Sequence, residues 1–393
     1  MRLLRDMLHR PIPAPPEALR RGPLRRPGSE APPHDARTAA LLGRSLGIAF
    51  GICFVTGLIS HVHQNPPAWL DVPSRPVWAY QLTQGLHVAT GIASIPLLLA
   101  KLWTVYRRLF AWPPFPDLAR LLERLLLVPL VAGAVFELVT GLLNIVQWYP
   151  WRFAFPVAHY RVAWVLVGAL LVHLAVKAPT ARSVTGRRRR PDAPPEAAPS
   201  PERRAVLAGV AAAAGAVTVA TVGQTVAPLR AVSLLAPRDP ALGPQGLPVN
   251  RTAAAARVAP KALDPGWRLL VAGRLRLSMS DLLALPQHEV ELPIACVEGW
   301  SASARWGGVR LRDVLDLAGV PPDRHITVVS LEEGGYQTSP VGPSAARDPL
   351  TLLAMRVRGE PLHLDHGYPL RLIAPNRPGV QQTKWLSRIE VSS

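Results

Sequence analysis

Leu125-Leu-Leu-Val-Pro-Leu-Val-Ala-Gly-Ala-Val-Phe-Glu-Leu-Val-Thr-Gly-Leu-Leu-Asn-Ile-Val146 is an apolar run broken by Glu137 and Asn144. A bilayer core takes about 20 apolar residues in a helix, so this run is long enough to cross one. Four other stretches share its character, at about 40 to 60, 78 to 100, 160 to 177 and 205 to 227. With positive mean hydropathy over 393 residues, they make the chain a membrane protein with room for two or three domains.

The net charge of +18 would suit nucleic acid, but the cations are neither interleaved with aromatics nor grouped on one face, and that partner is excluded. They flank the apolar runs instead. Arg20, Arg21, Arg25, Arg26 and Arg37 precede the first, Lys101, Arg107, Arg108, Arg120 and Arg124 separate the second from the third, and Arg187 to Arg190 follow the fourth. The opposite loops carry only Arg75, Arg152 and Arg161, so positive charge places the amino terminus in the cytoplasm and sends the fifth span outward. Trp69, Trp78, Trp148, Tyr149 and Trp151 gather at the outer ends, where amphipathic rings favour the interface.

Residues 1 to 38 and 179 to 204 are rich in Pro and Arg and are expected to be disordered cytoplasmic segments. Between them, residues 39 to 178 form a four-helix bundle. Arg203-Arg204 before the Ala- and Gly-rich fifth span, 205 to 228, resemble a twin-arginine signal, an anchor helix with a basic inner flank being the plainer reading. That segment is expected to stay uncleaved, since cleavage would detach the carboxy-terminal domain from the bundle. Residues 229 to 255 read as a linker, and the domain beyond it, 256 to 393, would lie outside the cytoplasm.

In that domain Trp267–Gly273, Val290–Ala295, His325–Leu331 and Pro369–Ala374 read as strands, while Met279–Leu285 and Val309–Gly319 have helical spacing. The pattern predicts an α+β domain. Its one cysteine, Cys296 in Ala295-Cys-Val-Glu-Gly-Trp-Ser301, follows a strand; a free cysteine is often a small buried hydrophobe, and its thiolate is also a soft metal ligand. The other, Cys53, lies in an apolar run, so no disulfide framework exists.

Ionisable residues inside a bilayer are candidates for function. His159 and His173 are fourteen residues apart, near four helical turns, and so share a face about 21 Å apart. Their spacing resembles the axial ligands of di-haem membrane cytochromes, implying haem b, one or two, with His61 or His63 completing an outer site with His159 and His87 an inner site with His173. Interfacial loops also tolerate wet histidines. Glu137 and Asn144 share a face of the third span and would line a haem pocket, bind quinone, relay protons or make contacts within the bundle.

Cys296, Asp365-His-Gly-Tyr-Pro-Leu-Arg371 and Gly379-Val-Gln-Gln-Thr-Lys-Trp385 together resemble, in order and spacing, the molybdopterin domain of the sulfite oxidase family, over roughly residues 250 to 393. The resemblance implies that Cys296 binds molybdenum with Glu298 near the metal. It implies too that His366 and Arg371 meet the pterin phosphate, that Gly379, Gln381, Thr383 and Lys384 wrap the cofactor, and that Asn250 makes an early pterin contact. Tyr336 is a candidate pocket hydroxyl. The Cys-Val-Glu segment is closer to the bacterial methionine sulfoxide reductase branch, and the first arginine after the cysteine is Arg305, so a sulfite dianion finds less compensation there, whereas the Asp365–Arg371 segment resembles the sulfite oxidase version.

The expected protein is an all-α membrane bundle of about five spans followed by an α+β sulfite oxidase-type domain. It would transfer oxygen atoms outside the cytoplasm, with electrons passing through haem to or from quinone or another membrane carrier. A small sulfur compound is the expected substrate, with sulfoxide reduction preferred over sulfite dehydrogenation. The competing expectation is a non-catalytic haem-binding membrane protein.

Overall fold

The structure is a computed structural model and describes residues 35–67, 69–109, 118–185 and 201–392. Most of the two Pro- and Arg-rich segments, with the arginines before residue 35 and at 187 to 190, lies outside the described residues.

Among the described residues, five helices are long and apolar enough to cross a bilayer: α1 (Ala36–Gln64), α2 (Ala79–Leu109), α3 (Leu118–Ile145), α4 (Phe155–Thr185) and α5 (Pro201–Val222). They overrun the apolar runs, so residues 36–38, 179–185 and 201–204, expected to be disordered, are helical. The fifth helix stops at Val222, short of the expected 228, where Gly223 gives way to a short 3-10 turn at Ala227–Val232.

The chain divides into two compact units, and the division cuts through α1 and α2. Unit 1 holds residues up to Phe54 and Ala89–Val219. Its core is Leu46, Phe50, Leu98, Ala134 and Leu166, contributed by α1 to α4, and α3 packs along α4. By contrast α5 buries none of its residues.

Unit 2 joins Val55–Val88 to Ala220–Ser393. Its first sheet has the order β2-β1-β10-β5-β6, from β1 (Leu269–Val271), β2 (Leu275–Leu277), β5 (Ile326–Ser330), β6 (Thr338–Val341) and β10 (Leu386–Val391). Only β1 and β10 are parallel. The second sheet has the order β3-β4-β7-β8, from β3 (His288–Ala295), β4 (Ser301–Arg310), β7 (Leu352–Val357) and β8 (Glu360–Pro361), with β9 (Arg371–Ile373) also on β7. Each sheet has its own core, one built on Leu269, Val314, Ile326, Leu353 and Ile389, the other on Leu292, Trp306, Leu352, Val357 and Ile373.

The segment Val309–Gly319 divides between strand and helix. Val309 and Arg310 complete β4, and the helix is Leu311–Leu317, closed by Gly319 at φ +63°. A bulge at Gly307/Gly308 brings β4 against β7, and a Cβ on Gly308 would lie 2.1 Å from Leu353 O. Met279–Ala284 is helical with a capping box between Ser278 and Asp281.

The expected linker at 229 to 255 is partly folded into unit 2. Leu247, 1% exposed, joins the core of the second sheet, and Ala253, Ala256, Val258 and Ala262 pack on Trp385. Alanine and proline look like linker composition, yet small side chains are what let this segment lie close against the indole.

Candidate molybdopterin site

Cys296 follows the last residue of β3 and is 3% exposed. Between β3 and β4 the chain turns tightly: Cys296 N donates to Trp300 O at 2.9 Å and Gly299 N to Cys296 O at 3.0 Å. The Asn250 amide donates to Cys296 Sγ at 3.1 Å, joining the early contact segment to the thiol. Glu298 is buried and accepts from Trp300 Nε1 at 3.3 Å. Burial, and then the Glu298 carboxylate, push the Cys296 thiol well above its ordinary pKa of 9.0. A metal cation reverses that preference by binding the thiolate directly.

A second group of residues is built around Gly367, in αL geometry at φ +107°. A Cβ there would meet Arg371 Cβ and Lys384 Cα at 3.1 Å each, so glycine lets these two cations converge. Arg371, 4% exposed, donates to His366 O at 3.0 Å and Gln382 O at 3.1 Å and stacks 5.1 Å from the Trp306 centroid. Its Nε is buried without a partner. Lys384 donates to Asp365 O at 3.0 Å and to Arg251 O, and lies 4.3 Å from the Trp385 centroid. Arg251 follows Asn250, so adjacent residues serve the thiol and the cations.

None of Arg371, Arg377 and Lys384 has a carboxylate partner among the described residues. Burial lowers them to about 9, about 10 and about 7 respectively, with the neighbouring Arg371 adding to the effect on Lys384. Buried and half-buried cations bonded only to neutral groups, with an orphaned guanidinium nitrogen on Arg371, are a donor set suited to an anion such as a phosphate. The residues present therefore fit a molybdopterin with its phosphate tail.

His366 has a different posture. Its Nε2 donates to Pro244 O at 2.6 Å, and burial, then Arg371, lower its pKa to about 4, so it is a neutral ring fastening residue 244 to the site. Gly379 lies where a Cβ would be 3.1 Å from Ala295 O, and Pro378 bridges to Ala295, which puts this loop beside the cysteine. Gln381 donates to Gln64 O at 2.7 Å, and Thr383 is buried in the same stretch. Tyr336 lies on the loop between β5 and β6 and is 58% exposed.

Sequence reasoning missed Arg377, Gln382, Asn376 and Gln84. Arg377 Nε donates to Gln381 O at 3.0 Å, supplying a cation where Gln381 offered none, two residues ahead of the motif's first glycine. Gln382 bonds Ala374 both ways, accepting at 2.7 Å and donating at 2.8 Å. Asn376 accepts from Tyr80 N and donates to Pro73 O, each at 2.8 Å. The signal available for Arg377 was its place in Asn376-Arg-Pro378, between a strand and a cofactor loop.

Arg305, the first arginine after the cysteine, points away from this chemistry. It stands opposite Glu291 in β4, with its guanidinium 3.7 Å from Glu289 and 62% of its side chain exposed.

The histidines of the helices are placed individually. His61, His63 and His87 belong to unit 2, His159 and His173 to unit 1, so neither expected axial pair falls within one unit. His63 Nδ1 donates to Ile59 O at 2.9 Å, and its Nε2 is buried without a hydrogen-bond partner. His87 Nδ1 is 3.3 Å from Thr56 Oγ1. Both nitrogens of His159 are engaged, Nδ1 with Thr140 Oγ1 and Nε2 with Glu137 Oε2, each at 3.0 Å, so as placed it does not fit a haem iron. Glu137 thereby makes a contact inside the bundle, while Asn144 accepts from the Tyr149 hydroxyl at 3.2 Å.

Residues 257–393 match the oxidoreductase molybdopterin binding domain family. Among curated proteins, the chain is 32% identical over 156 residues to the sulfite oxidase of Arabidopsis thaliana, covering 31% of this chain and 40% of that protein. It is 33% identical over 164 residues to the mitochondrial sulfite oxidase of Rattus norvegicus, covering 33% of this chain and 30% of that one. It is also 36% identical over 129 residues to the uncharacterized oxidoreductase YuiH of Bacillus subtilis, covering 32% and 64%. The sulfane dehydrogenase SoxCD from Paracoccus pantotrophus aligns at TM-score 0.31 and 23% identity, covering 33% of this chain and 40% of that one. The chain thus spans less than half the length of the sulfite oxidases it matches. The family match covers the strand-rich domain and supports an oxidoreductase domain of the molybdopterin-binding type there.

Proposed function

We propose that the chain is a membrane-anchored molybdopterin-dependent oxidoreductase working outside the cytoplasm, with a small neutral sulfur oxide, such as a sulfoxide, as its substrate. The observation that carries the reading is the buried thiol of Cys296, joined through Asn250 and Arg251 to a set of buried and half-buried cations with no carboxylate at ion-pair distance among the described residues. Cys296 and the amide of Asn250 would hold the metal side of the cofactor, and Arg371, Arg377 and Lys384 its phosphate. When bound, the cofactor supplies two-electron oxygen-atom transfer.

The chain's own residues do the rest. The β3–β4 turn fixes the sulfur, the sheet beneath Cys296 excludes water, and Glu298 stands as a carboxyl group near the thiol, able to hold a proton. The groups placed against this turn are amides, a hydroxyl, an indole and a carboxylate, an environment that suits a neutral S=O group better than a dianion.

The second reading is sulfite dehydrogenation, favoured by the relatives named sulfite oxidase. Purified protein assayed with sulfite and an acceptor, and with a reduced dye and methionine sulfoxide, separates the two. Turnover of sulfite alone overturns the first reading, and full activity in Cys296→Ser overturns both.

The proposal extends to b-type haem, with helix histidines other than His159 as candidate ligands, and to quinone as the membrane electron carrier. His63 supports it, because a backbone carbonyl on Nδ1 is the second contact that commonly orients a ligating imidazole. An optical spectrum with iron quantification tests this part; absence of a Soret band in freshly purified protein refutes it.

A further inference from the structure

The turn that presents Cys296 is held from outside its own sheet. Gln84, in the early turns of α2, donates from Nε2 to Val297 O at 2.7 Å. Just beyond α5, the Thr225 hydroxyl reaches Gly299 O, and Gln224 O accepts from Ser301 N at 2.9 Å. A Cβ on Gly299, at φ +91°, would lie 2.7 Å from Val88 and 3.2 Å from Gln224 Nε2, so this approach is open only to glycine.

Gln84 is itself immobilised. Ser60 Oγ donates to its Oε1 at 3.0 Å, the Tyr80 hydroxyl lies 3.1 Å from the same Ser60 Oγ, and Gln64 Nε2 donates to it at 3.1 Å. Gln84, Ser60 and Tyr80 are all buried, so this is a satisfied polar network of the kind that fixes one geometry. The same two helix segments hold the cofactor loop through Asn376 to Tyr80 N and Gln381 to Gln64 O. Sulfur and loop therefore share one anchor, whose residues precede the 257–393 region matched to the family.

We propose that Gln84 is a positioning residue of the metal site: by gripping the carbonyl next to Cys296 it sets the direction in which the sulfur is presented, tying that direction to α2. The inference rests on Cys296 as the metal ligand.

The test uses full-length protein in detergent with Cys53→Ser in every variant, leaving Cys296 as the one thiol. Gln84→Met keeps the volume and removes the donor. In metal-free protein, Cys296 in Gln84→Met is expected to react with a maleimide roughly three- to tenfold faster, the equivalent of one net hydrogen bond. Thr225→Val should accelerate it similarly, whereas Arg75→Ala, which breaks the contact to Asp348 elsewhere on unit 2, should not. In molybdenum-loaded protein, Gln84→Met should shift the Mo(V) paramagnetic resonance signal while Arg75→Ala leaves it unchanged.

A wild-type alkylation rate in Gln84→Met, or equal acceleration in Arg75→Ala, overturns the proposal. Should wild-type protein prove to hold no molybdenum, the reading of Cys296 as its ligand fails, and the alkylation comparison still decides the clasp.

Discussion

Raising the pH from 7 to 9 is expected to stabilise the cofactor-free protein by about 2 kcal/mol, and Lys384→Met is expected to abolish that gain. An unfolded lysine titrates near 10.5, whereas burial, and then the Arg371 guanidinium, hold Lys384 at about 7 in the fold. Across this window the unfolded chain keeps a proton that the native state releases, so stability rises with pH. The native amine goes from about half neutral to about 99% neutral, which is worth about 2.3 kcal/mol, and ionisation of the unfolded Cys296 thiol near pH 9 takes back a few tenths. Arg371, at about 9, adds about 0.4 kcal/mol by pH 9, offsetting the thiol, and Arg377, at about 10, contributes above the window. Urea unfolding followed by tryptophan fluorescence in half-unit pH steps measures the rise, with Trp385 reporting beside the amine. A bound phosphate would restore the charge of Lys384, so cofactor-loaded protein should show no rise. A flat wild-type profile without cofactor, or an undiminished slope in Lys384→Met, would refute the assignment of these cations to a cofactor phosphate.

His366 acts in the opposite pH range. Its pKa of about 4 means the native ring stays neutral while the unfolded one protonates, so about 2.5 kcal/mol should be lost between pH 7.5 and 4.5, and His366→Gln should flatten that limb in the same unfolding assay. Gly367→Ala forces a side chain into αL geometry against Arg371 and Lys384 and should cost more than about 2 kcal/mol, read as a lowered urea midpoint. Glu298→Gln removes the carboxylate that helps hold the Cys296 thiol protonated, so at pH 8 alkylation of the metal-free thiol should accelerate. For a neutral sulfoxide, KM should change little between low and physiological ionic strength, since there is no substrate charge to screen; a steep rise in KM with salt would indicate an anionic substrate.

The five long helices were legible because a bilayer demands a run of apolar residues that little else produces. Their ends were not: α1, α4 and α5 continue into Arg- and Pro-bearing sequence because a helix need not stop where its apolar stretch does. In the second unit, β3, β5 and β9 show the expected apolar runs, while β4 passes through Ser301-Ala-Ser-Ala-Arg-Trp-Gly-Gly308, whose small residues and glycines hide a strand stabilised by its two neighbours. Cys296, Asn250, Arg371 and Lys384 were found as motif residues, and the structure joins them through Asn250 and Arg251. Gln84 and Asn376 were invisible because their meaning lies in partners 213 and 296 residues away, and no local pattern records such a pairing.

Charge placement bears on the substrate more directly than the family match does. Arg371, Arg377 and Lys384 hold backbone carbonyls of residues 251, 340, 365–366 and 381–382, or the Ser339 hydroxyl, around the cofactor loop, and Arg305 spends its charge on an exposed carboxylate. A phosphate tail would neutralise the loop cations, leaving little positive charge to receive a second anion. At the Cys296 turn the carboxylate of Glu298 already disfavours negative charge on the thiol, and it raises the cost of bringing a sulfite dianion there. A neutral oxide meets no such cost, and its polar oxygen can be met by an amide N–H in a dry setting, where such bonds are strongest. Under the proposed function the domain would hold its cofactor with the loop cations, while the thiol turn held by Gln84 and Thr225 would receive an uncharged substrate.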